Sequence, residues 1–235
     1  MGARLPKRVA DGVYQLGLGS VNVFFIEDDG GGLWLVDTGT EPGAERVGRA
    51  IRALGREPRE LRGVAVTHLH RDHIGGLAAV KAHTGAEVWM GADDAALVRE
   101  GLWGRALEPG PGPLRSVLVR TMGSRTMRVH EPLAVEHDVR DGDQLPFGAT
   151  AVGTPGHTAG HMALLLPRDG GVLLVGDAAT NWGRLSVGPI YEDVGEGMRS
   201  LQRLAGLEFE TALFGHGRAI TSGAAARFRE RFSRV

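Results

Sequence analysis

The stretch Thr67-His68-Leu69-His70-Arg71-Asp72-His73 places four potential metal ligands within six residues, in the order H-x-H-x-D-H. It directly follows the apolar run Gly63-Val64-Ala65-Val66, which reads as a short strand. A strand that ends in ligands holds them at the edge of a sheet, with little freedom to scatter. Imidazole and carboxylate groups in such a position suit zinc, and also iron or manganese. The stretch therefore predicts metal chemistry before any fold is assigned.

Composition narrows the class of protein. The chain has 235 residues, of which 42% are hydrophobic, and we interpret residues 1–235 as a single domain. Its net charge of −1 gives no general attraction for nucleic acid or for an anionic membrane. The absence of cysteine excludes disulfides, iron–sulfur clusters and thiol catalysis. Because no apolar run has the length of a membrane span or of a secretory signal, a cytoplasmic protein is expected.

Apolar runs separated by turn-forming residues predict strands and helices in both halves of the chain. Strands are predicted over 21–26, 33–36, 63–66, 87–90, 149–152, 162–166, 172–175 and 211–214, and helices over 42–54, 74–83, 94–100, 197–204 and 224–232. Asp93 is a candidate cap for the third of these helices. Two mixed β-sheets packed face to face, with helices on the outer faces, are the simplest layered solution.

Residues 101–132 form the one long segment without a periodic pattern. The segment contains four prolines, Trp103 and several arginines. A long irregular connection in a compact domain is often a lid or a binding loop. The alternative interpretation is a solvated excursion on the surface.

Three later residues extend the opening motif. His157, Asp177 and His216 each follow an apolar run, and each has glycine beside it or close by. Glycine allows backbone to approach a compact centre closely. If the ends of these strands meet at one edge, five histidines and two aspartates come together there.

In this order, the residues resemble the ligand set of the metallo-β-lactamase superfamily. The set is His68, His70, Asp72, His73, His157, Asp177 and His216. Asp37, in the sequence Leu35-Val36-Asp37-Thr38-Gly39, matches the first motif of that family. The resemblance implies a four-layer αβ/βα sandwich with the metals at one edge of its two sheets.

The resemblance also implies roles for these residues. One metal ion would be held by His68, His70 and His157, and a second by Asp72, His73 and His216. Asp177 would bridge the two ions, most often zinc, with iron or manganese as alternatives. Asp37 would orient the ligand loop without binding metal.

Independently of the family, His68 and His70 are two residues apart and so point the same way on an extended segment. Among the other histidines, His161 is expected to be structural or to support a ligand. The segment 181–191 follows Asp177 and is expected to border the pocket. Trp182 could supply an apolar wall there, Arg184 an anion contact, and Tyr191 an oxyanion donor.

The expected function is a dinuclear metal-dependent hydrolase of a small ester, thioester or lactone. A hydroxide held between two cations would attack the carbonyl, with Asp72 orienting it and passing a proton to the leaving group. Asp177 distinguishes the chain from the β-lactamases proper, which generally lack a carboxylate there. Hydroxyacylglutathione hydrolases share the ligand set but carry a sizeable C-terminal helical domain, whereas here 19 residues follow His216. The alternative is a mononuclear or dinuclear iron redox enzyme that resembles the persulfide dioxygenases. Small-molecule substrates are expected in either case, and the oligomeric state stays open.

Overall fold

The larger of two mixed β-sheets contains seven strands among residues 5–111 and 131–233, which the computed structural model describes. This first sheet consists of β1 (Lys7–Ala10), β2 (Val13–Gly17), β3 (Asn22–Glu27), β4 (Leu33–Val36), β5 (Leu61–Val66), β6 (Glu87–Gly91) and β8 (His137–Val139), in that spatial order. Strands β1 to β4 pair antiparallel, and β4, β5, β6 and β8 pair parallel. The carboxyl ends of β4, β5 and β6 therefore share one edge.

The second sheet comes from the later part of the chain. Its strands are β9 (Thr150–Gly153), β10 (Met162–Leu166), β11 (Val172–Gly176) and β15 (Thr211–Phe214), in the spatial order β15-β11-β10-β9. Strands β11 and β15 are parallel, so the residues after them also share an edge. Two short ribbons lie beside this edge, formed by β12 (Ala179–Asn181) with β13 (Leu185–Val187), and by β7 (Glu108–Pro109) with β14 (Ile190–Tyr191).

Helices cover the outer face of each sheet. The α-helices are α1 (Ala44–Ala53), α2 (Arg71–Ile74), α3 (Leu77–Thr84), α4 (Ala92–Arg99), α5 (Val194–Ala205) and α6 (Ala224–Phe232), with short 3-10 turns at Glu41–Gly43 and Pro58–Glu60. Helices α1, α3 and α4 share a buried cluster with the first sheet, and α5 and α6 share one with the second. Within the described ranges, no helix has the length and apolar character needed to cross a membrane.

A third apolar cluster lies between the two sheets. It joins Phe24 and Trp34 of the first sheet to Leu164, Leu174 and Leu213 of the second. The molecule is thus layered helix, sheet, sheet, helix, and the predicted sandwich of two mixed sheets is confirmed. Because the central strands β3, β4, β10, β11 and β15 bury both of their faces, they read as continuous apolar runs in the sequence.

The structure corrects several details of the predicted elements. Strands β1 and β2 were not predicted. Helix α4 begins at Ala92 after Gly91, and no side chain caps it, so the prediction that Asp93 is the cap is wrong. Helix α5 begins at Val194, three residues before the predicted start, because Asp193 caps it by accepting a hydrogen bond from Glu196 N at 2.8 Å.

Two predictions about the organisation of the chain have no structural test. Residues 112–130, which make up most of the proposed lid over 101–132, lie outside the described residues. Within the described part of this segment, Glu108 and Pro109 form β7 against β14. The lid, and the reading of residues 1–235 as a single domain, stay predictions.

Candidate metal centre

The carboxyl ends of four strands bring together the acidic and imidazole side chains that the sequence singled out. His68, His70, Asp72 and His73 follow β5, and His157 follows β9. Asp177 follows β11 directly, and His216 lies two residues after β15. Potential ligand atoms lie within 4.8 Å of one another in three overlapping groups. These groups are His68-His70-His157, His68-His73-Asp177 and Asp72-His73-His216.

The first group is a cluster of three imidazoles. His157 Nε2 lies 2.9 Å from His70 Nδ1 and 3.2 Å from His68 Nε2. The His68 and His157 side chains are buried, and His70 is partly exposed. Three ring nitrogens therefore face one point that lies close to the protein surface.

The other two groups meet at the carboxylate of Asp177. His216 Nε2 lies 3.1 Å from Asp72 Oδ2 and 3.2 Å from Asp177 Oδ2. Asp177 Oδ1 lies 3.5 Å from His73 Nε2, and Asp177 Oδ2 lies 3.7 Å from His157 Nε2. Asp177 thus lies between the three-imidazole cluster and the group of Asp72, His73 and His216, with oxygen atoms near members of both.

Hydrogen bonds behind the rings fix which nitrogen of each histidine faces the centre. His157 Nδ1 donates to Ile190 O at 2.9 Å, and His216 Nδ1 donates to Ser20 O at 2.8 Å. His73 Nδ1 donates to Asp37 Oδ2 at 2.7 Å. In each case Nε2 is left to face the centre, which is the arrangement that outer hydrogen bonds give metal-binding histidines.

Asp37 and Thr67 extend this arrangement to His68. The Thr67 hydroxyl donates to Asp37 Oδ2 at 2.8 Å and lies 3.0 Å from His68 Nδ1, so the ring N–H donates to the hydroxyl. The Thr67 backbone N–H donates to Asp37 Oδ1 at 2.8 Å. Asp37 has a left-handed backbone with φ 61, a conformation that a short polar side chain tolerates. One buried carboxylate thus orients two imidazoles.

His161 is buried behind Asp177. Its Nε2 accepts a hydrogen bond from Asp177 N at 3.0 Å, and its Nδ1 donates to Thr154 Oγ1 at 2.7 Å. Burial lowers the pKa of His161 to about 3, so the ring is neutral and can accept this bond. The position agrees with the supporting role expected for it.

Asp94 was missed in the sequence, although it connects two loops of the centre. Its carboxylate accepts hydrogen bonds from Leu69 N at 3.0 Å, Thr158 Oγ1 at 2.6 Å and Gly160 N at 2.9 Å. It therefore joins the loop after β5 to the loop after β9. Burial raises the pKa of Asp94 to about 6. An aspartate in the first turn of a helix has an ordinary explanation at the helix N-terminus, which is why the sequence gave no signal.

Burial and charge divide the imidazoles into two kinds. Burial lowers the pKa of His70 to about 4 and that of His157 to about 3, and it also lowers the pKa of His68. These rings are neutral, which is the form that binds metal. Burial opposes charge on His73 too, but the carboxylates of Asp177 and Asp37 outweigh it and raise the pKa of that ring.

His216 forms ion pairs with the carboxylates of Asp72 and Asp177. Burial opposes charge on His216, but hydrogen bonds to Asp177 and Asp72 raise its pKa to about 10. Burial would raise the pKa of Asp72, but the hydrogen bond with His216 outweighs it and lowers that pKa to about 2. Burial would likewise raise the pKa of Asp177, but the charge of His73 and the hydrogen bond with His216 lower it well below its usual range. The aspartates are therefore ionised at neutral pH.

The donors fit divalent cations. Two buried side-chain atoms within the described ranges have no hydrogen-bond partner, and both belong to this cluster: His73 Nε2 and Asp177 Oδ1. Such groups are costly unless something else satisfies them. In addition, His68 Nε2 and His157 Nε2 face each other although the hydrogen of each ring is on Nδ1. A cation with nitrogen and oxygen ligands would satisfy all four atoms.

The segment after Asp177 borders the centre only in part as expected. Trp182 is 65% exposed, and its ring stacks on that of His216 at 6.0 Å. Arg184 is exposed. Tyr191 is fully buried, and its hydroxyl accepts a hydrogen bond from Gly188 N at 2.8 Å. The interpretation of Tyr191 as an oxyanion donor is therefore wrong, because its hydroxyl serves the fold of the loop.

Comparisons with known proteins agree with this geometry. The model of the metallo-beta-lactamase superfamily matches residues 16–216. A hydroxyacylglutathione hydrolase of Marinomonas sp. is 28% identical over 82% of this chain and 59% of its own length, and one of Rhodobacter capsulatus is 31% identical over 65% and 46%. The chain thus spans about half the length of these two relatives. A probable metallo-hydrolase of Bacillus subtilis, YflN, is 28% identical over 90% of this chain and 86% of its own.

Solved structures share the architecture. The metallo-β-lactamase MIM-2 has a TM-score of 0.69 at 26% identity, covering 97% of this chain and 81% of its own. A metallo-β-lactamase of Cronobacter sakazakii with a HARLDQ motif has a TM-score of 0.69 at 22% identity, covering 91% and 81%. At this identity, the likeness to the Cronobacter enzyme shows the fold alone.

Proposed function

The chain belongs to the metallo-β-lactamase superfamily, and on that premise we propose that it is a dinuclear metal-dependent hydrolase of a small ester, thioester or lactone. The observation that carries the proposal is the convergence of five imidazoles and two carboxylates at one edge of both sheets, with unsatisfied buried atoms among them. Buried polar atoms in a purely structural cluster are nearly always hydrogen-bonded.

We assign His68, His70 and His157 to one ion and Asp72, His73 and His216 to the other, with Asp177 shared. The position of Asp177 supports this division, because its oxygens lie 3.2 Å from His216 Nε2 and 3.7 Å from His157 Nε2. When bound, such ions polarise a carbonyl group and lower the pKa of water towards neutrality. Zinc suits the mixture of nitrogen and oxygen donors best, and Asp37 orients His73 and, through Thr67, His68.

Asp72 is the acidic residue of the centre that a substrate can reach. Its side chain is 40% exposed, whereas that of Asp177 is 7% exposed. It is ionised at neutral pH, so it accepts a hydrogen bond from the attacking water and orients it. As the water attacks the carbonyl, Asp72 would take up the proton that the water loses and then pass this proton to the leaving group. The buried rings of His68 and His157, by contrast, donate their Nδ1 hydrogens away from the centre and take no part in proton transfer.

The relatives support an acyl substrate. Two of them are named for the hydrolysis of a hydroxyacyl thioester of glutathione, and the Bacillus relative, which matches over most of its length, is named as a metallo-hydrolase. A two-metal centre can attack a carbonyl or a phosphoryl group, and the names of these relatives favour the carbonyl. We therefore place thioesters, esters and lactones ahead of phosphodiesters.

A hydrolysis screen tests the proposal. The purified chain is supplied separately with zinc, manganese and iron and assayed with ester, thioester, lactone, β-lactam and phosphodiester probes. We expect turnover of an acyl probe that a chelator abolishes and that one metal restores. Persistent turnover in the presence of chelator would contradict a metal-dependent reaction. Oxygen consumption with a persulfide by the iron form, without any hydrolysis, would favour the redox alternative.

Asp177→Ala provides the matched variant. We expect it to lower kcat/KM by at least about a hundredfold, the upper end of the effect of removing a residue that merely supports a ligand. Circular dichroism should show an unchanged fold, since Asp177 lies at the end of β11 and outside the apolar clusters. Full activity of the variant, assayed with saturating metal, would contradict a shared carboxylate.

A further inference from the structure

A groove beside the candidate metal centre has a composition that the proposed chemistry does not use. It has a volume of about 890 Å³. Its walls include Lys7, Arg8, Gln15, Ser20, Trp182 and Arg218, and we call it the cationic groove. Three basic side chains line it, and the described residues that line it include no acidic one. In a chain with a net charge of −1 this is a local excess of positive charge.

Two of the three basic side chains are available to a ligand. Arg8 pairs with Asp11, whereas Lys7 and Arg218 are exposed and form no ion pair with any residue in the described ranges. Lys7 lies on β1 opposite Gln15 of β2, which also lines the groove. Positive charges on a concave surface attract anions and concentrate them there.

The groove also has apolar surface that a monomeric protein usually hides. Leu5 is 70% exposed and Trp182 is 65% exposed, and among the described residues these are the two exposed large hydrophobic side chains. Both line the cationic groove. Exposed apolar groups beside charged ones mark binding sites for ligands that carry both kinds of group.

Two residues that line the groove, Ser20 and Trp182, contact His216 of the candidate metal centre. Ser20 lines the groove, and its carbonyl oxygen accepts the hydrogen bond from His216 Nδ1 at 2.8 Å. The Trp182 ring stacks on the face of the same imidazole, with 26° between the ring planes. A ligand in the groove therefore lies against residues that contact a ligand of the proposed second ion.

Backbone contacts hold this wall in place. Arg218 N donates to Asn181 O at 2.8 Å, and Asn181 Nδ2 donates to Arg218 O at 2.8 Å. Asn22 Nδ2 donates to Gly217 O at 2.9 Å. A side chain at Gly217 would meet Asn181 O at 2.2 Å, so glycine is required where these segments touch. Because the wall is fixed in advance, little entropy is lost when a ligand binds.

We propose that the cationic groove binds an anionic, partly apolar arm of the substrate while the scissile acyl group lies at the metal centre. The arm carries a carboxylate or a similar oxyanion that Lys7 and Arg218 contact, and its carbon chain lies on Trp182. This inference rests on the proposed hydrolase function and adds the class of substrate: an acyl compound with a distant negative charge.

A matched pair of substrates tests the charge. The zinc-loaded protein is assayed with para-nitrophenyl hydrogen glutarate and with its methyl ester, para-nitrophenyl methyl glutarate, which differ only in the distant carboxylate. We expect the wild type to prefer the charged ester. In the double variant Lys7→Met/Arg218→Met, the ratio of kcat/KM for the charged ester to that for the neutral one should fall by about tenfold, since charge-assisted hydrogen bonds are lost.

Arg59→Met is the control for general loss of positive charge. Arg59 is exposed and lies just before β5, whereas the metal centre follows the other end of that strand. In Arg59→Met, the ratio of kcat/KM for the charged ester to that for the neutral one should equal the wild-type ratio. A ratio in the double variant that falls no further than in Arg59→Met would overturn the proposal.

Binding without turnover gives an independent measurement. Tryptophan fluorescence of the metal-free protein is titrated with phenylacetate and with the neutral phenylacetamide, and Trp182→Phe identifies the signal of Trp182. We expect phenylacetate to bind more tightly and to lose this advantage in the double variant. Equal binding of the two compounds would overturn the groove proposal. The hydrolysis screen decides the hydrolase function; if neither glutarate ester is hydrolysed, this titration alone decides whether the groove binds anions.

Discussion

At the scale of single residues, the direction of each imidazole is set by atoms that never face the centre. His157 and His216 donate to backbone carbonyl groups, whereas His73 and His68 depend on Asp37, the latter through Thr67. The two kinds of support differ in one respect that can be tested. A backbone carbonyl stays in place when side chains are exchanged, but the Thr67 hydroxyl can be removed alone.

Thr67→Val is therefore expected to weaken metal binding, because valine keeps the shape of the threonine side chain but lacks its hydroxyl. The substitution leaves His68 Nδ1 without its acceptor and Asp37 without one donor, both of them buried. We expect zinc affinity to fall about 10–100-fold, measured by competition with a chromophoric chelator. Thr150→Val, at the end of β9 remote from His157, is the control. Equal zinc affinity of Thr67→Val and this control would contradict the role of the hydroxyl.

Asp94 gives a prediction about pH. Its pKa is 3.8 in the ordinary environment of an unfolded chain and about 6 when folded, because burial favours the neutral form. Its contribution to stability is thus fully present below the lower value and is lost as pH rises through the higher one. Compared with Asp94→Asn, the metal-free wild type should lose on the order of 2 kcal/mol of relative stability between these values.

Thermal unfolding at pH 4, 5, 6 and 7 measures this difference, because groups shared by the two proteins cancel. The melting temperature of the wild type minus that of Asp94→Asn should fall as pH rises. A difference that stays constant or increases would show that Asp94 does not titrate as burial requires. The aspartate was invisible in the sequence because its three donors come from residues 69, 158 and 160, which only the fold brings together.

At the scale of elements, the strands that carry ligands were predicted and the edge strands were not. Strands β5, β9, β11 and β15 bury nearly all their side chains and read as apolar runs. Strand β1, over Lys7–Ala10, has two exposed and two half-buried residues. No alternation marks it as a strand, and its pairing with β2 depends on the turn at Gly12, which has φ 60. The ligand-carrying strands could be predicted because burial on both faces gives them continuous apolar sequences.

Helix α5 shows how a cap fixes a boundary that periodicity leaves open. Its first turn contains Gly195 and Gly197, which lower helix propensity and conceal the start. Asp193→Ala should lower the free energy of unfolding by about 1 kcal/mol, and Asp193→Asn by much less, because asparagine also accepts from the backbone. Urea denaturation measures both. An equal loss in the two variants would mean that the hydrogen bond to Glu196 N does not stabilise the helix.

At the scale of the whole molecule, the layered fold followed from the pattern, and the meeting point of the motifs followed from where strands end. His68 to His73 leave the first sheet, whereas His157, Asp177 and His216 leave the second. The spatial order of the strands within each sheet could not be predicted from the sequence. Pairing such as that of β15 with β11 joins residues about 40 positions apart. Bound cations would join the two sheets across their common edge.

Metal removal is therefore expected to destabilise the packing of both sheets. Zinc at about 100 times its Kd should add about 2.7 kcal/mol per site, which raises the melting temperature of a domain of this size by roughly 5–10 °C. Scanning calorimetry with chelator, and then with increasing zinc, measures the shift. A melting temperature that does not depend on zinc concentration would contradict a metal site that is formed only in the folded state.

The division of the ligands between the two sheets also has a consequence for biosynthesis. The ribosome makes His68, His70, Asp72 and His73 early, whereas His157, Asp177 and His216 emerge much later. The nascent chain cannot complete either proposed trio until β9 and then β15 have left the exit tunnel. We therefore expect the site of His68, His70 and His157 to form only after β9 has emerged, and the site of Asp72, His73 and His216 only after β15 has emerged.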